Sequence, residues 1–241
     1  MTAVHGAARP YLASAYNSLV TQPLPSGWEW EWCVQEDGEA VAAKDALPNP
    51  GDPRIHISSS RQGGPAVART MAFARSRGSV VKVLDADDEL ADGALLRDLT
   101  VLEERPHIGW TTSRVVDLMP DGSLVGFEGD PPAGLIERAA VFTHWREHRR
   151  PQVHPATLCV RRELVDLLGG WMALPASEDT GLLTALSVLS EGFFIPDVSL
   201  RYRRHGGQST AHPAHREGEE WAARMQVIES RTLALQALLN S

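Results

Sequence analysis

Cysteine is almost missing from this 241-residue chain. The two present, Cys33 and Cys159, each lie in an apolar stretch without ligand-like spacing, which argues against structural zinc. One disulfide stays open, although two buried free thiols in a cytoplasmic protein is the simpler reading. Lysine is scarce as well. Lys44 and Lys82 stand among 23 basic residues, and this Ala- and Arg-rich usage suggests a high-GC bacterial genome. No apolar run approaches the roughly 20 residues of a membrane span. The start, Met-Thr-Ala-Val-His-Gly, lacks the basic and apolar segments of a secretory signal. Positive charge is not in surplus either. A formal net charge of −8 argues against a nucleic-acid protein, which normally carries a basic surplus or stripe. The short basic clusters at 149–150, 161–162 and 201–204 suit anionic groups on a small substrate better than a duplex. What remains is a cytoplasmic globular protein, 43% hydrophobic and 22% charged, long enough for one large α/β domain.

The chain is organised around residues 79–90, where an apolar run (Val80, Val81, Val83, Leu84) stops at Asp85, Asp87 and Asp88. The run predicts a buried strand. Its end is the C-terminal edge of a sheet, where open α/β folds bind ligands. Three carboxylates this close repel unless a divalent cation or a strong donor compensates them. Oxygen ligands of this kind suit Mg²⁺ or Mn²⁺ bridging to substrate phosphates. The alternative is a solvated turn in which Asp88 or Asp92 caps the next helix.

The remaining elements follow from periodicity. Residues 2–5 read as a strand end, and 10–20 as a helix with Leu12, Ala15, Tyr16 and Leu19 on its apolar face. Residues 28–34 alternate Trp28, Trp30 and Trp32 with Glu29 and Glu31, predicting a strand whose tryptophans are core or, less simply, a sugar platform. Residues 54–58 form a third strand. Gly63-Gly-Pro opens a helix to about Arg77, and the glycine pair leaves N–H groups free for an anion. The order β-α-β-β-α-β predicts an open, mostly parallel sheet flanked by helices.

Beyond it come a helix at 92–104, a hairpin formed by 108–113 and 115–119, and an irregular stretch at 128–154 of the kind that makes binding loops. A strand at 154–160, a helix at 161–168, a helix opened by Glu178-Asp179 and two short strands at 193–195 and 198–202 follow. A last amphipathic helix at 216–239 packs across the domain or on a partner, such as a second copy. Asp179 in the first turn is a candidate helix cap. With no internal repeat and no linker, the chain reads as one domain: a binding half at about 1–106, a second half at 107–210 with a small antiparallel element, and a C-terminal helix at 211–241.

Taken together, Ser18-Leu-Val-Thr-Gln22, Glu36-Asp37-Gly38, Gly64-Pro-Ala-Val-Ala-Arg69, Leu84-Asp-Ala-Asp-Asp88, Leu168-Gly-Gly-Trp171, Glu178-Asp179 and Tyr202-Arg-Arg-His205 resemble, in order and spacing, glycosyltransferase family 2 of the GT-A fold. The resemblance implies an inverting, Mn²⁺- or Mg²⁺-dependent enzyme that moves a sugar from a UDP- or dTDP-linked donor to a hydroxyl acceptor. It implies donor or nucleotide contacts at Ala3, His5, Asp37, Gly63, Gly64, Asp85 and Ala86, and metal contacts at Asp87 and His205. Asp179 matches the general base, with Glu178, Trp171 and His154 on the acceptor side. The chemistry fits, because displacing a nucleoside diphosphate needs a cation at the leaving group and a carboxylate at the incoming hydroxyl. Arg69 reads as structural or indirect.

The pattern departs in two places. The first strand is short, with Thr-Ala-Val-His at residues 2–5 where the family has Pro-Thr-Tyr-Asn, and Glu39 replaces a serine. A Mg²⁺-dependent nucleotidyltransferase stays open, though Gly6-Ala-Ala-Arg9 is a poor phosphate loop. So does a family member that binds nucleotide or a partner without catalysis.

Overall fold

The computed structural model describes residues 1–6, 8–38, 42–208 and 215–241. Glu39 lies outside them. The chain alternates strands and helices around a sheet in two parts. Strands β1 (Thr2–Val4), β2 (Trp32–Asp37) and β3 (Ile55–Ser60) pair in parallel, with β2 in the middle. Buried residues on both faces of β2 (Trp32 to Glu36) follow from that central position. On the other side of β1, Met1 donates to the Lys82 carbonyl at 2.9 Å and accepts from the Leu84 N–H at 3.1 Å. These two bonds, in the pattern of a parallel pair, attach β4 (Val80–Lys82) to the first sheet.

The second sheet is mixed. Its order is β4, β9 (Cys159–Arg161), β6 (Ile108–Leu118), β10 (Glu191–Arg203), β5 (Glu89–Leu90), with β7 (Leu124–Gly126) on β6 and β8 (Gly134–Ile136) on β10. Only β6 and β10 run parallel in it. Helix α1 (Leu12–Val20) buries the expected Leu12, Ala15, Tyr16 and Leu19. Gln22 straps it to α3 (Ala94–Glu104), donating to the Ala91 carbonyl at 3.0 Å and accepting from the Leu95 N–H at 3.2 Å.

Helix α2 (Pro65–Arg75) covers the other side of the sheet, with Phe73 in a core cluster containing Val81, Val83, Trp110, Leu182 and Phe194. Helix α6 (Glu178–Leu189) is buried almost all round from Gly181 to Val188, as befits a helix enclosed by protein. The last helix, α7 (Glu219–Leu239), packs across it through Met225, Ile228 and Thr232. Among the described residues no helix is long and apolar enough to cross a membrane.

Several elements differ from expectation. The 28–34 strand begins at Trp32, and only that tryptophan is core: Trp28 hydrogen-bonds Glu103, and Trp30 lies under the Arg54 guanidinium at 3.8 Å. The 108–119 hairpin is one strand, β6, whose turn comes later at Asp121-Gly122. The irregular stretch holds β8 and helix α4 (Ala140–His148), which buries Val141, Phe142 and Trp145. Its N-cap is Ala139 with φ 67°, so no capping residue announced it.

The segment 154–160 is mostly a short 3-10 turn before β9 and helix α5 (Arg162–Leu168). The two strands at 193–202 are one, because a bulge between Ile195 and Val198 absorbs Pro196 without ending the pairing. Neither Asp88 nor Asp92 caps α3, whose N-cap is Gly93 with φ 72°. The N-cap of α6 is Ser177, one residue before Glu178, so Asp179 lies inside the first turn rather than at the cap.

Candidate active site

The C-terminal ends of β1, β2 and β4 open at the same edge. There an open cavity of about 550 Å³ is walled on the far side by the first turn of α6 and by the end of β10. Every expected site residue lines it except Gly63 and Trp171. Ala3 and His5 come from the end of β1, Asp37 from β2, and Asp85, Ala86 and Asp87 from the turn after β4. Glu178 and Asp179 enter from α6, His205 from beyond β10, and His154 from the turn before β9.

Asp37 is already engaged. Its Oδ1 accepts from the N–H of Gly63 at 2.7 Å and of Gly64 at 3.0 Å, and its Oδ2 from Gly64 at 3.1 Å. The N–H groups expected to await an anion thus hold a carboxylate of the same chain. Gly64 is the N-cap of α2 with φ 85°, a conformation that suits glycine.

Arg69, one turn further along α2, is the centre of the site. Only 5% exposed, it places Nη2 2.5 Å from Asp85 Oδ1 and Nη1 3.3 Å from Asp179 Oδ2, with Nη1 also donating to Glu178 Oε1. Burial alone would lower its pKa, but Asp179, Asp85 and Glu178 outweigh that and hold it firmly charged. From residue pattern alone Arg69 is expected to be structural or indirect; in the fold it touches three carboxylates of the site. The available signal was an arginine flanked by small residues on the inner face of a helix, in a chain whose motifs bring several carboxylates, Asp85, Glu178 and Asp179 among them, and no lysine to pair with them.

Asp179 keeps 20% of its side chain exposed to the cavity. Burial raises its pKa to about 7, against the pull of Arg69 and with a further push from Glu178 and Asp85. Trp171 stands behind it, donating its indole N–H to Oδ1 at 2.8 Å. A carboxyl poised near neutrality is a suitable general base.

Asp87 Oδ2 lies 2.8 Å from His205 Nε2. His205 Nδ1 accepts from the Gly207 N–H at 3.2 Å, so Nε2 carries the hydrogen and donates to Asp87. The ring packs on Tyr11 with centroids 4.7 Å apart. Asp88 turns inward, fully buried, accepting the Arg203 N–H at 2.9 Å, and burial together with Asp85 and Asp87 raises its pKa well above the carboxylate range. Its Oδ1 thus ties the turn after β4 to β10, and the side chain does not line the cavity. His154 is held neutral, lowered by burial to about 4, with Nδ1 accepting from the Ala156 N–H at 3.3 Å.

Among the described residues no three acidic, histidine or cysteine side chains converge as a ready cation cage. The donor set fits a cation in a narrower way: Asp87 and His205 face each other across one contact. Mg²⁺ and Mn²⁺ sites of this class take one or two protein ligands and fill the rest with phosphate oxygens and water.

The description "Glycosyl transferase family 2" matches residues 2–124, just over half of the chain. The chain belongs to glycosyl transferase family 2. That match spans Asp37, Gly63, Gly64 and Asp85 to Asp87; Asp179 and His205 lie beyond it. The fold agrees over the whole length. TarS of S. aureus, residues 1–349 in complex with UDP-GlcNAc, superposes with a TM-score of 0.73 at 17% identity, covering 98% of this chain and 69% of that one. The same TarS fragment with UDP gives 0.66 at 16% identity, covering 98% and 68%. Against TarS without that truncation the score is 0.65 at 16% identity, with 97% of this chain covering 41% of that one. A comparison with curated proteins found no match. The expected GT-A architecture of this family member is therefore present, including the second half that the family match does not reach.

Proposed function

We propose that this chain is an inverting, metal-dependent glycosyltransferase that moves a sugar from a nucleoside diphosphate donor, UDP- or dTDP-linked, to a hydroxyl acceptor. The observation that carries the reading is the placement of Asp179 across one cavity from Asp85 and Asp87. Family membership and the fold shared with TarS, which was crystallised with UDP and UDP-GlcNAc, support it.

In this reading the half at about 1–106 binds the donor, with Ala3, His5, Asp37, Gly64 and Ala86 forming the nucleotide end of the cavity. The half at about 107–210 presents the acceptor, with Glu178 and His154 beside it. Asp87 would hold Mn²⁺ or Mg²⁺, joined by His205 once its Nε2 hydrogen is displaced. A bound cation there would neutralise charge on the departing diphosphate. Asp85 keeps its oxygen on Arg69 and faces the donor.

Asp179, ionised, takes the proton of the incoming hydroxyl at Oδ2, while Oδ1 stays on the Trp171 indole. Arg69 stabilises the anionic form of the base and separates it from Asp85. In this reading Asp179 acts as base and none of the described carboxylates is assigned as a nucleophile, so a single displacement would invert the anomeric centre, in parallel with inverting glycoside hydrolases.

A thermal-shift panel of UDP, dTDP, GDP and CDP, each with and without Mn²⁺, tests the donor site. Ligands of the native state raise its melting temperature by mass action. A shift for one nucleotide that depends on Mn²⁺ and disappears in Asp87→Ala is expected. Absence of any shift would sink the metal–diphosphate reading and favour a family member without catalysis.

A further inference from the structure

Asp179 is held from behind by a route that begins on α2. The hydroxyl of Thr70, next to Arg69, accepts the backbone N–H of Trp171 at 3.1 Å. Phe73, one turn on, meets the Trp171 ring edge-on with centroids 6.5 Å apart. The loop reaches α2 this closely because residue 170 is glycine: its φ is 86°, and a Cβ there would lie 2.8 Å from the Thr70 hydroxyl. Trp171 is 5% exposed and its indole N–H ends on Asp179 Oδ1. One helix therefore grips the carboxylate twice, directly through Arg69 on the Oδ2 side and through Thr70 and Trp171 on the Oδ1 side.

The two grips differ in kind. Arg69 supplies charge, and its Nη1 is shared with Glu178. A shared charge contact at 3.3 Å is a weak constraint on direction, whereas a single N–H···O bond from a packed indole defines one. We propose that Trp171 is a positioning residue for the reaction, fixing the Asp179 side chain so that Oδ2 stays turned to the acceptor hydroxyl. The inference rests on Asp179 being the base. It assigns to Trp171 a task that an aromatic of similar packing without an N–H cannot perform.

The test uses the full chain and two readouts. In a ¹H–¹⁵N spectrum of the protein labelled at its seven tryptophans, the Trp171 indole resonance is identified by its loss in Trp171→Phe. It is expected to move in Asp179→Ala, where its acceptor is gone. In parallel, release of nucleoside diphosphate from UDP- and dTDP-sugars with Mn²⁺, water serving as acceptor, is measured for wild type, Trp171→Phe and Thr70→Val. A base misplaced by about 1 Å loses up to about 100-fold in rate. Trp171→Phe should therefore lower kcat roughly 10- to 100-fold with donor KM changed less than about twofold, and Thr70→Val should lower it in the same sense by less.

An unmoved indole resonance overturns the inference. So does a folded Trp171→Phe protein with wild-type kcat, or one in which KM alone changes. If wild type releases no diphosphate from any donor, it is the transferase reading that fails. The indole resonance then decides the inference by itself: movement in Asp179→Ala supports the grip and no movement rejects it.

Discussion

His205 Nε2 and Asp87 Oδ2 meet at 2.8 Å although 118 residues separate them in the chain. The contact joins the turn after β4 to the segment after β10, and it is the place where Asp87 presents a carboxylate to the cavity. His205→Ala should weaken Mn²⁺-dependent nucleotide binding by at least roughly 10- to 100-fold, because it removes the partner that orients Asp87 and, in the proposed site, a metal contact as well. Binding without Mn²⁺ should change little. Titration calorimetry with UDP and dTDP, with and without Mn²⁺, checks this. Equal weakening in both conditions would count against a cation at Asp87.

The pH dependence of stability carries the signature of Asp179. Its folded pKa is raised to about 7 from an ordinary 3.8, so the native state keeps the proton when the unfolded chain has lost it. The stabilisation is complete below the ordinary value and is lost as pH rises to about 7, at about 1.4 kcal/mol per pH unit within that window. Asp179→Asn should remove this slope, as seen in urea midpoints taken across the window. Activity has the opposite sense: kcat/KM should climb with pH up to about 7 as the base ionises.

Arg69→Met would strand Asp85, Glu178 and Asp179 around an apolar side chain. Breaking a buried ion pair from one side costs about 3–5 kcal/mol. The loss should be full at about pH 8 and smaller at about pH 5, because Asp179, with its raised pKa, is protonated there and stops repelling its neighbours. Urea denaturation at both pH values measures it, and an equal loss at both would mean that Arg69 acts through packing.

Gly192→Ala should also destabilise, for a reason unrelated to the site. A Cβ at this position would overlap the ring of Trp110, which is fully buried between the sheet and its helices and has nowhere to move. Overpacking of this kind costs about 1–3 kcal/mol, to be read from the urea midpoint, with no effect on nucleotide shifts relative to wild type.

Much of the fold was legible because its signals are local. The face of α1 is written in Leu12, Ala15, Tyr16 and Leu19, and the end of β4 in an apolar run broken by aspartates. The second half was less legible. α4 starts at an alanine with left-handed backbone, and β10 runs through Pro196, so the usual start and stop residues mislead there. Asp85, Asp87 and Asp179 were legible as acids at the ends of elements. Arg69 was not, because what makes it central is the convergence of β4, α2 and α6, and no local pattern encodes that. Asp37 shows the same limit: its motif named an acid at the strand end, and only the fold shows the glycine pair closing on it.

The most direct measurement is release of nucleoside diphosphate from UDP- and dTDP-sugars in the presence of Mn²⁺, comparing wild type with Asp179→Asn and Asp87→Ala. Wild type should release the diphosphate from one class of donor, Asp87→Ala should lose the stimulation by Mn²⁺, and Asp179→Asn should still bind the nucleotide but fall by orders of magnitude in turnover. Release by Asp179→Asn at the wild-type rate, or pyrophosphate as the product from a nucleoside triphosphate and a sugar phosphate, would contradict a transferase with Asp179 as its base.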